Sequence, residues 1–424
     1  MSEPWQPLSG IRIVDFSMFV PGPFASAIFA DLGADVIKVE APRGDPGRSY
    51  VPVQFRMENR NKRSLALDLK NRESAKVVEK LAAHADVAIE GFRPGVAKRL
   101  GIDFETLSAF NPKLVYCSIS GYGQTGPWRE RPGHDVNYVA AAGALAFPGQ
   151  WLKAPVRSSL PLADMSGGAF AAIAILAALQ ERDAAGKGVN LDLSLFESAF
   201  FWAAMRHSLD PDVDPRAHIF PVNDVFETAD GKRLTLGILE EHFWQNFLEV
   251  APALRDERFA TDALRRQHGD ELSSKIEATI RSKSAAEWLE RLGANDVPVD
   301  LCVTPGEATS NEQIVARETV KGGFVPFPVW ADGRRGGRIR SGVPQLGEHS
   351  REILVELGFE DAEIAEMRKM GSVPIYGGAW RANATASSGP SCWWCSGFSS
   401  SRTIWSSSSG RSCATSCPPG GRWS

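Results

Sequence analysis

Short β-branched runs alternate with helical stretches through the first 120 residues. Gly10–Phe16 is an apolar run, Pro21-Gly-Pro opens a helical stretch to Leu32, Gly33 closes it, and Asp35–Glu40 is a second run. A helix ended by glycine between two such runs is the sequence form of a βαβ unit. Residues 65–69, 86–92 and 114–120 read as further strands, with a helix over 72–85. The pattern predicts an α/β fold: a parallel sheet covered by helices. Ser166–Arg182 follows as one long, mostly apolar helix, expected to be buried on most sides, with a strand near 189–195. Its greasiest stretch, Ala169–Leu179, is about half of the ~20 residues that span a bilayer.

The texture changes after residue 200, where Asp210-Pro-Asp-Val-Asp-Pro215 reads as linker. The division expected is a large domain over 1–200, a linker over 201–225 and a smaller α+β domain over 226–325. Residues 326–373 would return to the large domain through a helix near 350–357. The remainder, 374–424, is an atypical Ser/Gly/Trp/Cys-rich tail. From residue 371 onward there are four arginines but no Lys, Asp or Glu, and five of the twelve tryptophans. Neither helical nor strand periodicity survives there. Cys392, Cys395, Cys413 and Cys417 have a spacing that superficially suits zinc, but the segment reads as a disordered or non-native tail. Cys117 and Cys302 sit alone in apolar contexts and are expected in the core.

Composition narrows the function classes. A formal charge of -4 offers no basic field for nucleic acid. The polar N-terminus lacks a secretory or membrane signal, so a cytoplasmic protein without a membrane partner is expected.

Three segments carry candidate chemistry. Gly121-Tyr122-Gly123-Gln-Thr-Gly126 matches a dinucleotide fingerprint, but the Pro127-Trp-Arg-Glu-Arg-Pro-Gly133 behind it cannot extend a helix, so a loop beside a ligand is expected. His134, after a Pro-Gly turn, is either a solvent-facing helix end capped by Asp135 or a proton shuttle oriented by it. Asp164 is either an N-cap of the long helix or a partly desolvated base. Gly167 and Gly168 behind it would leave helix-start N–H groups open to an oxyanion. Lys38, Arg43, Arg48, Arg60, Lys62, Arg63 and Arg93 fall at strand ends and turns, where a phosphorylated ligand binds an open parallel sheet, or else form ordinary solvated surface.

Taken together, several phrases resemble the family III CoA-transferase and α-methylacyl-CoA racemase superfamily. They are Pro7–Asp15, Ala30–Glu40, Asn59–Leu69, Glu90-Gly-Phe-Arg-Pro-Gly-Val96, Ser120–Pro127 and Pro344–His349, in order along residues 7–373. The resemblance implies a Rossmann-like large domain, a smaller α+β domain and an interlocked homodimer, with sites between the large domain of one subunit and the small domain of the other. It implies an acyl-CoA substrate and no cofactor or metal beyond its coenzyme A moiety. Lys38, Arg43, Lys62, Arg93, Gly121, Tyr122 and Gly123 become the candidate CoA-binding residues.

Both branches of the superfamily place an aspartate where Asp164 stands. The Gly133-His134-Asp135-Val-Asn-Tyr138 string is similar to the racemase form, and Glu240 matches the glutamate that racemases pair with the histidine. The favoured expectation is therefore an acyl-CoA racemase with His134, Asp164 and Glu240 as catalytic residues. The alternatives are a CoA-transferase with Asp164 as nucleophile, and a non-catalytic CoA-binding protein. Met165-Ser-Gly-Gly168 departs from the racemase pattern of an aromatic residue and a longer glycine run.

Overall fold

The computed structural model describes residues 5–374. The cysteine-rich segment and the zinc reading attached to it lie outside them.

Six strands make one parallel sheet: β1 (Arg12–Asp15), β2 (Asp35–Glu40), β3 (Arg63–Ala66), β4 (Val87–Glu90), β5 (Val115–Ser120) and β6 (Val189–Ser194). Their order is β3-β2-β1-β4-β5-β6. The chain builds outward from β1 in one direction and then from β4 in the other. The sheet therefore has a switch point between β1 and β4, where open parallel sheets leave a crevice beyond their strand ends.

Successive strand residues enter different cores. Val14, Ile37, Val39 and Leu65 belong to one buried cluster, and Ile13, Val36, Val87 and Ile89 to another. Burial on both faces explains the continuous β-branched runs. The second cluster is roofed by α1 (Pro21–Asp31), α3 (Asp135–Ala141), α4 (Leu162–Ala185) and α5 (Leu195–His207); α2 (Ser74–Ala83) covers the first.

A smaller sheet follows, β7 (Asn223–Glu227), β8 (Arg233–Gly237) and β9 (Val299–Leu301), antiparallel throughout. It packs with α6 (Glu241–Val250), α7 (Gly269–Ile280) and α8 (Ala285–Gly293) around Leu234, Trp244, Phe247, Ile276 and Trp288. The chain then returns to the large sheet. Ile353 and Leu354 of α9 (Ser350–Glu356) and Ile364 and Met367 of α10 (Asp361–Lys369) join the first core. The Ser350 hydroxyl accepts from the Ala66 N–H at 3.1 Å and Asp68 N–H donates to the Ser372 carbonyl at 2.9 Å, so the β3 edge is covered.

Three expectations are corrected. Helix α4 is not buried all round: Ile173 is 61% exposed, and α5 leaves Phe201, Trp202 and Met205 uncovered, the first two packed on Phe170 of α4. By length and composition α4 is apolar enough to cross a membrane, although half of that stretch is buried inside the protein. Gly167 and Gly168 do not form an open anion cradle. A Cβ there would meet Leu195 at 2.3 Å and the Pro21 carbonyl at 2.6 Å, so they let α4 pack closely on α5 and α1. Cys302 is exposed beyond β9, where the hydrophobic context runs out, while Cys117 is buried as expected.

Candidate active site

A cleft of about 700 Å³ opens at the carboxyl ends of β4 and β5. Met18–Pro21 after β1, Gly91–Pro94 after β4, Ser120–Gly121 at the end of β5 and Arg131–His134 before α3 line it, and Asp164 closes it from the first turn of α4. His134 and Asp164, 30 residues apart in sequence, thus meet in one cavity.

The loop that leads from β5 to His134 is held by aromatic packing. The Tyr138 hydroxyl donates to the Gly133 carbonyl, and the Tyr138 ring sits edge-on to Tyr122 at 5.1 Å. Tyr122 also packs against Trp128 and Phe196, with the Arg131 guanidinium over the Trp128 ring at 4.6 Å. The Gln124 N–H donates to both Asp192 oxygens at 3.0 Å, pinning the loop to β6. No helix follows the glycines, as the prolines predict. Gly121 lines the cleft, but Tyr122 and Gly123 stand behind the wall as its supports.

His134 is the exposed N-cap of α3, and its N–H donates to the Asn137 side chain at 3.0 Å. Asp164 is not an N-cap; that position is Pro161, and Asp164 lies one turn inside. Burial, with a smaller push from Asp135, raises its carboxyl to about 7. No hydrogen bond or ion pair to the Asp164 side chain occurs among the described residues. Beneath the cleft, Glu90 ends β4 and accepts from the Phe92 N–H at 2.7 Å; burial raises it too, to about 7.

The basic candidates separate. Lys38 and Lys62 are corrected to structural residues, because their ammonium groups are fully buried. Lys38 pairs with Asp45 at 2.9 Å and donates to the Ser17 carbonyl. Lys62 pairs with Asp15 at 3.2 Å and donates to the Pro23 carbonyl and to Asn59. Burial alone would raise Asp15, yet Lys62, Lys38 and the Ser17 and Ser26 hydroxyls hold it at about 2. Arg48, Arg60 and Arg63 are likewise engaged, by Glu40, Asp31 and Asp35. Arg93 lines the cleft and Arg43 flanks the neighbouring cavity; both are exposed and form no salt bridge among the described residues.

That neighbouring cavity, about 570 Å³, lies over the ends of β1, β2 and β3 and shares Met18, Phe92 and Val96 with the cleft. Its apolar walls, Phe16, Val39, Leu67 and Leu69, were not singled out in the sequence. Their signal was position at strand ends beside the switch point.

Glu240 is exposed at the N-cap of α6 and is not part of the cleft wall; no hydrogen bond joins it to His134. One chain therefore brings together two of the three catalytic candidates. Glu241 is occupied by Arg265 at 2.7 Å.

The sequence model of CoA-transferase family III matches residues 8–350. The chain belongs to that family. It is 31% identical over 382 residues to the α-methylacyl-CoA racemase of Homo sapiens, covering 85% of this chain and 96% of that protein. It is 30% identical over 397 residues to a succinyl-CoA–D-citramalate CoA-transferase of Chloroflexus aurantiacus, covering 86% and 98%. A crystal structure of a CaiB/BaiF family protein from Brucella suis superposes with a TM-score of 0.75 at 29% identity, covering 84% of this chain and all of that one. Racemases and transferases are thus similar to this family III chain to the same degree.

Proposed function

We propose that the protein is an acyl-CoA racemase that interconverts 2-methylacyl-CoA epimers. The observation that carries the reading is a pair of proton-transfer groups, His134 and Asp164, on one cleft, the second with its carboxyl raised to about 7. A general acid–base group works best when it titrates near the operating pH. In one direction one residue takes the α-proton of the thioester, leaving a planar enolate, and the other gives a proton to the opposite face. In the other direction the roles exchange. Neutral and charged forms of Asp164 are both accessible near pH 7, as that alternation requires.

The cavity over β1–β3 suits the nucleotide end of coenzyme A, and Met18, Phe92 and Val96 mark the passage of its thiol arm into the cleft. Arg93 supplies charge for its phosphates at the junction. We further propose a homodimer, in which the partner contributes the carboxylate of its own residue 240 to this His134.

A CoA-transferase is the second reading, favoured because no described residue hydrogen-bonds to the Asp164 carboxylate, which leaves it open as a nucleophile. Incubation with one enantiomer of a 2-methylacyl-CoA in D2O, without acceptor acid, separates the two. A racemase gives α-deuterium incorporation with loss of chirality, abolished in His134→Ala and Asp164→Ala. A transferase gives neither, but transfers CoA to an added carboxylate through an Asp164 thioester trappable by borohydride.

A further inference from the structure

We infer that Asp135 is a positioning residue: its one carboxylate ties the start of the helix carrying Asp164 to the start of the helix carrying His134. The inference rests on the reading above in taking His134 and Asp164 as the reacting pair.

An α-helix leaves its first N–H groups without internal partners, and a side-chain oxygen at the N-cap ordinarily accepts from one of them. Helix α4 has no such oxygen, since its N-cap is Pro161. The acceptor comes instead from α3. Asp135 Oδ1 accepts from the Ala163 N–H at 2.8 Å and, at a longer 3.4 Å, from the Asp164 N–H. The residue is only 7% exposed. Consecutive residues thus face opposite ways: His134 lines the cleft, while Asp135 turns back into the start of α4. The first turn of α3 is itself secured by the Asn137 side chain and by the Asn137 N–H on the His134 carbonyl at 2.8 Å. Any displacement of Asp135 therefore moves the two reacting groups relative to each other.

The same carboxylate has an electrostatic consequence. Among the described residues its one ion-pair partner is Arg157, 3.8 Å from Oδ2 and largely exposed. Around Asp164 stand Tyr138 and His134 on α3, Arg93 after β4 and Asp135, and of these Asp135 supplies the negative charge that opposes ionisation. The proton on Asp164 is retained to higher pH than burial alone would give.

The test uses Asp135→Asn, which keeps an acceptor oxygen but removes the charge, Asp135→Ala, which removes both, and Arg157→Gln at the exposed cation. The readouts are the titration of the Asp164 carboxyl by 13C NMR in the full chain, assigned with Asp164→Asn, and the pH profile of turnover. In Asp135→Asn the Asp164 midpoint is expected to fall by roughly one pH unit or more, with the acidic limb of the profile moving with it. Arg157→Gln is expected to move the midpoint upward. Asp135→Ala is expected to lower kcat on the order of 10²-fold with little change in KM, the effect of an ångström-scale misplacement. An unmoved midpoint in both charge variants, or full kcat in Asp135→Ala, overturns the inference. The NMR titration needs no turnover, so a wild-type protein that fails to racemise would refute the racemase reading without obscuring this result.

Discussion

The Tyr138 hydroxyl donates a 2.6 Å hydrogen bond to the Gly133 carbonyl, the residue immediately before His134. This contact fixes where the imidazole begins, and it exists because two glycines leave room for the tyrosine ring. A Cβ at Gly133 would lie 2.6 Å from Tyr138 Cε1, and one at Gly121 would lie 2.5 Å from Tyr138 Oη. Tyr122 blocks the ring from behind, so it cannot retreat. Gly133→Ala and Gly121→Ala are therefore expected to destabilise by roughly 1–3 kcal/mol, the usual range for overpacking. They should also cost at least about tenfold in kcat, since a small shift of a reacting group is expensive. Tyr138→Phe loses one hydrogen bond, worth about 1 kcal/mol, and should be milder in both respects. Thermal melting and steady-state kinetics on the three variants decide it; a fully active Gly133→Ala would refute the packing argument.

Asp164 should oppose folding at the pH where it works. Burial raises its carboxyl to about 7, against an ordinary 3.8 in the unfolded chain. Below about pH 4 both states are protonated and the residue has no differential effect. As pH rises toward 7 the unfolded chain releases the proton first, and the folded state bears a growing penalty that saturates above 7. Each tenfold difference in proton affinity between the two states corresponds to about 1.4 kcal/mol, and discounting for partial exposure leaves on the order of 2 kcal/mol. Asp164→Asn should thus melt at the same temperature as wild type near pH 4 and several degrees higher at pH 8, while losing turnover. Equal melting temperatures at both pH values would show that the carboxyl is not perturbed.

Much of the fold was legible because both faces of the parallel sheet are buried, which writes strands as apolar runs at regular spacing. The meeting of His134 and Asp164 was legible only through the resemblance, since neither residue's local pattern distinguishes a helix cap from a base. Lys38 and Lys62 misled for a physical reason: a basic residue at a strand end looks the same whether it faces a phosphate or a buried Asp15 or Asp45. The acceptors that neutralise them come from other strands and loops, and no spacing rule connects them. Asp135 was read as a cap for its own helix or as the carboxylate that orients His134, whereas its hydrogen-bonding partner, α4, starts 27 residues later.

Lys62 and Arg93 should give opposite phenotypes. Removing Lys62 leaves Asp15 buried without its partner, which typically costs about 3–5 kcal/mol. Lys62→Ala should therefore express poorly or melt far below wild type, with no selective effect on KM. Arg93→Ala should melt like wild type, because the side chain is exposed and unpaired among the described residues. Its effect should fall on acyl-CoA binding, raising KM roughly tenfold at low ionic strength and less in high salt. Denaturation curves and KM as a function of salt check both; an Arg93→Ala enzyme with unchanged KM would remove that residue from the coenzyme A path.

Glu240 yields the sharpest test of assembly. Within one chain it stands exposed at the start of α6, away from the cleft wall, so it cannot set the tautomer of its own His134 from there. The apolar residues left uncovered on α4 and α5, among them Ile173, Phe201, Trp202 and Met205, offer a face for a second copy. If the partner's small domain completes each site, His134→Ala and Glu240→Ala homodimers are each defective at both sites. A mixed dimer differs, because one of its sites carries both substitutions and the other carries neither. Co-expression with two tags, tandem purification and the D2O exchange assay should then recover about half of the wild-type activity from two nearly inactive parents. If Glu240 acted within its own chain, each site of the mixed dimer would retain one substitution and no activity would return. Full activity in Glu240→Ala alone would exclude the residue from proton transfer altogether, leaving His134 and Asp164 to work without it.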